Sequence, residues 1–260
     1  MLDQLFSMKD KVCIVTGGSR GLGKHMAKAF LHAGAKRVYI TARNSDECNA
    51  TAAELGAIGD CVALPGNLAN TESCKALAQA IAEKETAVHV LVNNAGTGWA
   101  AELDTYPEKG WDKVMDINVK TPFFLTQALL PLLRQAGTIE QTASVVNIGS
   151  ISGIIGDGLL NYSYGPSKAA VHQLTRNLAK DLADDHIRVN AIAPGRFYSK
   201  LTEYAQADQA AFDAEIAAIP LHRWGDEDDI AGVAVMLCSK AGAFITGQII
   251  AVDGGTTLVS

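Results

Sequence analysis

The feature that most constrains this chain is an alternation in which short apolar runs recur along its length and helical patterns separate most of them. The runs are Val12 to Thr16, Val38 to Thr41, Cys61 to Leu64, Val88 to Val92, Ser144 to Ile148, Arg188 to Ile192 and Gln248 to Val252. Helical spacing is predicted over 24–33, 44–55, 71–83, 110–134, 167–182 and 226–237. A strand that is apolar on both faces is covered on both faces, so the alternation predicts an α/β fold with one parallel sheet between two helical layers. Such sheets bind ligands beyond the carboxyl ends of their strands. Gly17 to Gly23, Asn93-Asn94-Ala95-Gly96, Ser150 and Pro194-Gly195 all fall at such ends.

Composition narrows the function classes. With 260 residues, 48% of them hydrophobic, and no linker, repeat or low-complexity tract, the chain is expected to form one domain over 1–260. A net charge of -6 argues against a nucleic-acid partner, which would favour a basic face. No apolar run approaches the roughly 20 residues that span a bilayer, and Met1 to Asp10 lacks the zones of a signal peptide. A soluble, cytoplasmic protein is therefore expected. Five scattered cysteines form no Cys-x2-Cys pair and six histidines do not cluster, so no metal is expected.

Two motifs carry chemistry. Gly17-Gly-Ser19-Arg20-Gly21-Leu22-Gly23 joins the first apolar run to a helical pattern. That arrangement suits a pyrophosphate, because absent Cβ atoms let the backbone approach and the helix N-terminus offers unpaired N–H groups. Tyr164 and Lys168 are four residues apart at the start of another helical pattern, so one helix face carries a phenol and an ammonium able to stabilise a phenolate. A Tyr-x3-Lys pair alone also occurs as an exposed surface pair; the surrounding motifs give it weight.

Over about Lys11 to Gly255 the chain resembles the short-chain dehydrogenase/reductase superfamily. The resemblance rests on Thr16-Gly-Gly-Ser-Arg-Gly-Leu-Gly23, Asn93-Asn-Ala-Gly96, Asn118, Ser150, Tyr164-x3-Lys168, Pro194-Gly195 and Val252-Asp-Gly-Gly255, in that order. Asn147-Ile-Gly-Ser150, Tyr162-Ser-Tyr-Gly-Pro-Ser-Lys168, Ile192-Ala-Pro-Gly-Arg-Phe197 and Arg223-Trp-Gly225 further resemble NADPH-dependent 3-oxoacyl-(acyl carrier protein) reductases of the rhamnolipid type. The implied fold is a doubly wound Rossmann fold with a parallel seven-stranded sheet.

The resemblance implies that Tyr164 is the general acid and Lys168 the cation that lowers its pKa and holds the nicotinamide ribose. It implies that Ser150 polarises the substrate carbonyl and that Asn118 keeps a water in the proton relay. Ser152 and Tyr162 are competitors for the serine and tyrosine roles; position 166, the helical neighbour of Tyr162, is proline and supplies no ammonium, while Ser152 is harder to exclude. The implied cofactor contacts are Gly17, Ser19, Arg20, Gly21, Leu22, Gly23, Arg43, Asn67, Leu68, Asn94, Ala95, Gly96, Pro194, Gly195, Phe197 and Ser199, together with Tyr164 and Lys168. Asn93 is expected to line the same cleft, although the Asn-Asn-Ala-Gly segment reads chiefly as a turn.

Charge selects the cofactor. The second strand ends in Thr41-Ala42-Arg43-Asn44, with alanine where an NAD site places a carboxylate, and Arg20 adds a second guanidinium. Two such groups suit a 2'-phosphate, so NADP(H) is expected. Residues 196–221 are expected to form a substrate lid, with Trp99 as a further candidate wall. The implied activity is NADPH-dependent reduction of a ketone, foremost a 3-oxoacyl thioester of acyl carrier protein or CoA. Other cyclic, steroid or polyketide-like ketones follow, and a non-catalytic dinucleotide sensor is a separate alternative. A homotetramer is expected.

Overall fold

The computed structural model describes residues 1–156, 160–198 and 208–259. Seven strands, β1 (Val12–Thr16), β2 (Arg37–Thr41), β3 (Cys61–Ala63), β4 (Val90–Asn93), β5 (Ala143–Ile148), β6 (Ile187–Pro194) and β7 (Ile249–Val252), make one sheet. Its order is β3-β2-β1-β4-β5-β6-β7, with every pairing parallel. All seven expected strands are present, in the doubly wound arrangement. The order reverses between β2–β1 and β4, so chain connections leave opposite faces of the sheet there and a crevice opens above the strand ends.

After a short α1 (Leu2–Leu5), the helices are α2 (Gly21–His32), α3 (Ser45–Leu55), α4 (Thr71–Ala82), α5 (Glu108–Met115), α6 (Thr121–Ala136), α7 (Tyr164–Asp181), α8 (Gln209–Ala218) and α9 (Glu227–Cys238). One layer packs Met26 and Phe30 of α2 and Ile230 and Leu237 of α9 on Cys13, Val15, Val38 and Ile40. The other packs Leu77 and Ile81 of α4 and Leu125, Leu129 and Leu133 of α6 on Ile14, Leu91 and Val145. The central strands β1, β4 and β5 are buried at every position, which is why their sequence reads as apolar runs without alternation.

The helical run expected over 110–134 departs from a single α-helix. It is divided into α5 and α6 by a π turn at Asp116–Lys120, with Pro122 in the first turn of α6, where its missing N–H is no loss. Pro166 is tolerated in the first turn of α7 for the same reason. No helix of the described residues is long and apolar enough to cross a membrane.

Candidate active site

The crevice floor begins with the turn leaving β1. Gly17 has φ +64, and a Cβ there would lie 2.9 Å from Asn94 Nδ2; a Cβ on Gly23 would lie 2.3 Å from the Gly17 carbonyl oxygen. Only glycine fits at either position, and the result is a cradle of backbone at the N-terminus of α2, the place where anionic groups bind best. Asn94 locks it: its Nδ2 donates to the carbonyls of Thr16 (2.8 Å) and Gly17 (3.1 Å), while the Thr16 hydroxyl accepts from the N–H groups of Asn94 and Ala95. Asn94 is thus a brace between β1 and β4. Ser19 is buried, Gly21 and Leu22 are half-buried, and Arg20 is exposed just before α2.

Asn93 turns away from the crevice. Its Nδ2 donates to Asn147 Oδ1 (2.9 Å) and Thr126 Oγ1 (3.2 Å), and Asn147 donates on to Thr175, forming a buried polar rung between β4, β5, α6 and α7.

Beyond β5, Ser150 precedes a 3₁₀ turn at Ile151–Gly153. Its hydroxyl accepts from the Ser152 N–H at 3.1 Å and lies 3.2 Å from Ser152 Oγ, so the two competing serines form one hydrogen-bonded pair. Tyr164 opens α7, and one turn later Lys168, only 5% exposed, donates from Nζ to the Ile148 carbonyl at 2.7 Å. The ammonium sits 5.5 Å from the centre of the Tyr164 ring. Burial lowers the Lys168 pKa to about 8, because removing the ammonium from water disfavours its charge. Gly96 closes the group from the β4 side: a Cβ on it would be 3.6 Å from Lys168 Nζ and 3.4 Å from Asn118 Oδ1.

Asn118 lies in the π turn and is 2% exposed. Its Oδ1 accepts from the Thr97 N–H, and its Nδ2 donates to the Thr97 carbonyl and to Ser167 Oγ, which in turn donates to the Tyr164 carbonyl. The amide therefore fastens the loop after β4 to the first turn of α7.

The outer contacts are more dispersed. Arg43 is exposed at the end of β2, and Arg20 Nη1 stands 3.5 Å from Glu47 Oε1. Asn67 is exposed, whereas the Leu68 side chain is buried among core residues of α4 and α6. Pro194 ends β6 and Gly195 donates to the Val252 carbonyl. The Phe197 ring is buried over Gly225. Ser199, like Leu201 and Tyr204 of the expected lid, lies outside the described residues. Within the described part, Trp224 packs with Phe212, Ile216 and Ile219, Tyr198 lies against Trp224, and Arg196 pairs with Glu215 of α8. The half-buried Trp99 indole lies on the backbone of Gly110, with Lys113 Nζ 5.4 Å from its centre, so one of its neighbours is α5.

Three residues to which the sequence reading gave no role matter to this geometry. Tyr106 and Ser163 meet at 2.6 Å beside the start of α7. His172, one turn beyond Lys168, is 4% exposed, and its Nε2, which has no hydrogen-bond partner, faces Gly149. Ser163 lies inside the Tyr162–Lys168 motif, but the part each residue plays is recognisable only once separate segments are brought together.

The family model for enoyl-(acyl carrier protein) reductase matches residues 17–257. The chain is 49% identical over 250 residues to the rhamnolipids biosynthesis 3-oxoacyl-[acyl-carrier-protein] reductase of Pseudomonas aeruginosa, spanning 96% of this chain and 97% of that protein. It is 34% identical over 254 residues to the 3-oxoacyl-[acyl-carrier-protein] reductase of Thermotoga maritima, spanning 96% and 99%. Among solved structures, the Pseudomonas aeruginosa RhlG/NADP active-site complex is similar with a TM-score of 0.95 at 48% identity, over 98% of this chain and 99% of that one.

The buried imidazole generates a prediction. Burial first, then the Lys168 and Arg176 charges, lower the His172 pKa to about 4. An unfolded chain takes up that proton near pH 6.5, so below this the unfolded state binds more protons and stability falls as pH drops toward 4. The loss in urea midpoint between pH 7.5 and pH 5 is expected to be smaller in His172→Leu than in the parent; equal losses would refute the assignment.

Proposed function

Because the chain belongs to the short-chain dehydrogenase/reductase superfamily, we propose that its crevice binds NADPH and reduces a ketone to a secondary alcohol, with a 3-oxoacyl thioester of acyl carrier protein or CoA as the substrate. The observation that carries this reading is the buried Lys168 ammonium. It is held by a main-chain carbonyl beside a phenol on the same helix face, and its burial is the one resolved influence on its pKa. A cation of that kind, with no resolved carboxylate influence, serves to stabilise negative charge on its neighbour.

The cradle fits the cofactor. The space that a Cβ would fill at Gly17 and Gly23 is where a pyrophosphate approaches backbone, and the N-terminus of α2 points into it. Ser19, Gly21 and Leu22 would line the diphosphate, Asn67 and Leu68 the adenine, and Ala95, Gly96, Pro194, Gly195, Phe197 and Ser199 the nicotinamide half. Arg20 and Arg43 would hold the 2'-phosphate with forked donors. When bound, NADPH supplies the hydride.

The chain's own residues manage the charge that appears on the ketone oxygen. Ser150 donates its hydroxyl hydrogen to that oxygen, a stabilisation that grows as charge develops. Tyr164 then transfers its phenolic proton there, leaving a phenolate. An unperturbed phenol has a pKa of about 10, and the adjacent ammonium lowers it toward the working range. Asn118 keeps the loop of Thr97 against the Tyr164 turn and so preserves the water path from Lys168 to solvent. The matching family model is that of an enoyl-(acyl carrier protein) reductase; the paired hydroxyls of Ser150 and Ser152 at the end of β5, able to donate to a developing oxyanion, favour a carbonyl substrate.

Residues 196–221 serve as the lid in this reading. The apolar cluster of Tyr198, Phe212 and Trp224 suits an acyl chain. Five free cysteines agree with work in the reducing cytoplasm. We also propose a homotetramer, supported by the fully exposed Phe244, by Leu258 and Val259, and by the open edge of β7.

Three measurements test this. Tyr164→Phe is expected to abolish NADPH oxidation with 3-oxoacyl thioesters and other ketones while NADPH binding persists; retained turnover would overturn the role, and no turnover by the parent on any ketone would favour a sensor. The parent is expected to show higher kcat/KM with NADPH than with NADH, and Arg20→Ala with Arg43→Ala should lower only the former, by about 10- to 100-fold per arginine. Light scattering is expected to give four times the 27.4 kDa chain mass; a stable monomer would remove the tetramer.

A further inference from the structure

Ser163 stands immediately before α7, where a serine hydroxyl ordinarily accepts from the second or third N–H of its helix. It does not do so here. Ser163 has helical backbone angles (φ -86, ψ -19), makes no side-chain cap, and is 0% exposed. Its hydroxyl instead meets the Tyr106 hydroxyl at 2.6 Å, 57 residues away in sequence. Tyr106 also donates to the Trp99 carbonyl at 3.0 Å. A phenol has one proton, so with that proton given to Trp99 the Ser163 hydroxyl is the donor to Tyr106, and the three groups form a directed chain. The Tyr106 ring further meets Tyr162 edge to face, with centroids 5.7 Å apart. In the same region the Ala101 N–H donates to the Leu160 carbonyl.

These contacts converge on one residue. Trp99 is anchored on α5 through Gly110, and its neighbour Gly98 borders the Tyr164 ring, where a Cβ on Gly98 would lie 3.8 Å from Cδ2. Tyr162 and Ser163 are the two residues that lead into Tyr164. We propose that Tyr106 is a positioning residue that sets where the Tyr164 phenol stands relative to Lys168, by tying the segment that leads into Tyr164 to the loop after β4. It works beside the Asn118 bracket, which grips Thr97 and Ser167. Asn118 fixes the inner side of the first helical turn, and Tyr106 fixes its entry. The proposal rests on the reductase reading above, since it assigns Tyr106 a part in placing the proton donor.

The test is a cycle of Tyr106→Phe, Ser163→Ala and the double variant, measured beside the parent with NADPH and a 3-oxoacyl thioester. Either single change is expected to lower kcat by about tenfold, the scale of a small misplacement of a reacting group, while the NADPH dissociation constant moves less than twofold. The double variant is expected to match the singles, because both remove one link. In the reverse direction, alcohol oxidation should need a higher pH to reach half its maximum, since a phenol drawn away from the ammonium is less acidic. Ser163→Ala, which removes a single oxygen, keeps the test valid should Tyr106→Phe fold poorly. An unchanged kcat and pH profile in an active parent background would overturn the proposal alone. So would additive losses accompanied by an equal loss of NADPH affinity, which would mark plain packing. A parent inert toward every ketone would overturn the reductase reading and this proposal with it.

Discussion

A single buried ammonium organises the crevice. Lys168 is almost fully enclosed, and its Nζ donates to the carbonyl of Ile148 at the end of β5. Removing a charge from water is costly, and a main-chain carbonyl offsets only part of that cost. The remainder appears as the depressed pKa, and it is the reason the neighbouring groups are as they are. Gly96 borders the ammonium, Asn118 holds the loop that carries Gly96, and Tyr164 stands one helical turn before the lysine, where it benefits from its charge. Strand end, helix start and loop meet at one nitrogen atom.

Most polar residues around the crevice are likewise paired, with Asn93 Oδ1 and His172 Nε2 as exceptions. Asn94 joins the glycine turn to β4, Asn93 and Asn147 run a rung through the core beneath it, and Ser167 links Asn118 to the Tyr164 carbonyl. Buried amides and hydroxyls of this kind rigidify when satisfied. The proton-donor role proposed for Tyr164 calls for such a frame, because small displacements carry large rate penalties.

Much of this was legible in the sequence because it leaves local marks. Buried strands are uniformly apolar, the glycine turn has a spacing, and Tyr164 with Lys168 is a helical pair. The sheet, the glycine cradle and the placing of Tyr164 beside Lys168 follow from such marks. What was not legible depends on contacts between distant segments. That the Trp99 ring rests on the bare backbone of Gly110 on α5 leaves no mark near position 99. Asn93 and Asn94 are adjacent and alike, and strand pleating sends one into the core and the other to the glycine turn. The π turn interrupts a continuous helical pattern without any breaker at its centre. Leu68 and Phe197 carry side chains that the core claims, and only their main chain is available to the crevice.

The seventh strand has a consequence for how the crevice is completed. Gly195 donates to Val252 and rests directly against Asp253, so the segment leaving β6 takes its shape from residues that follow all six other strands. That wall of the crevice therefore closes only when the last strand of the sheet is in place, whereas the glycine turn is framed by strands from the first half of the chain.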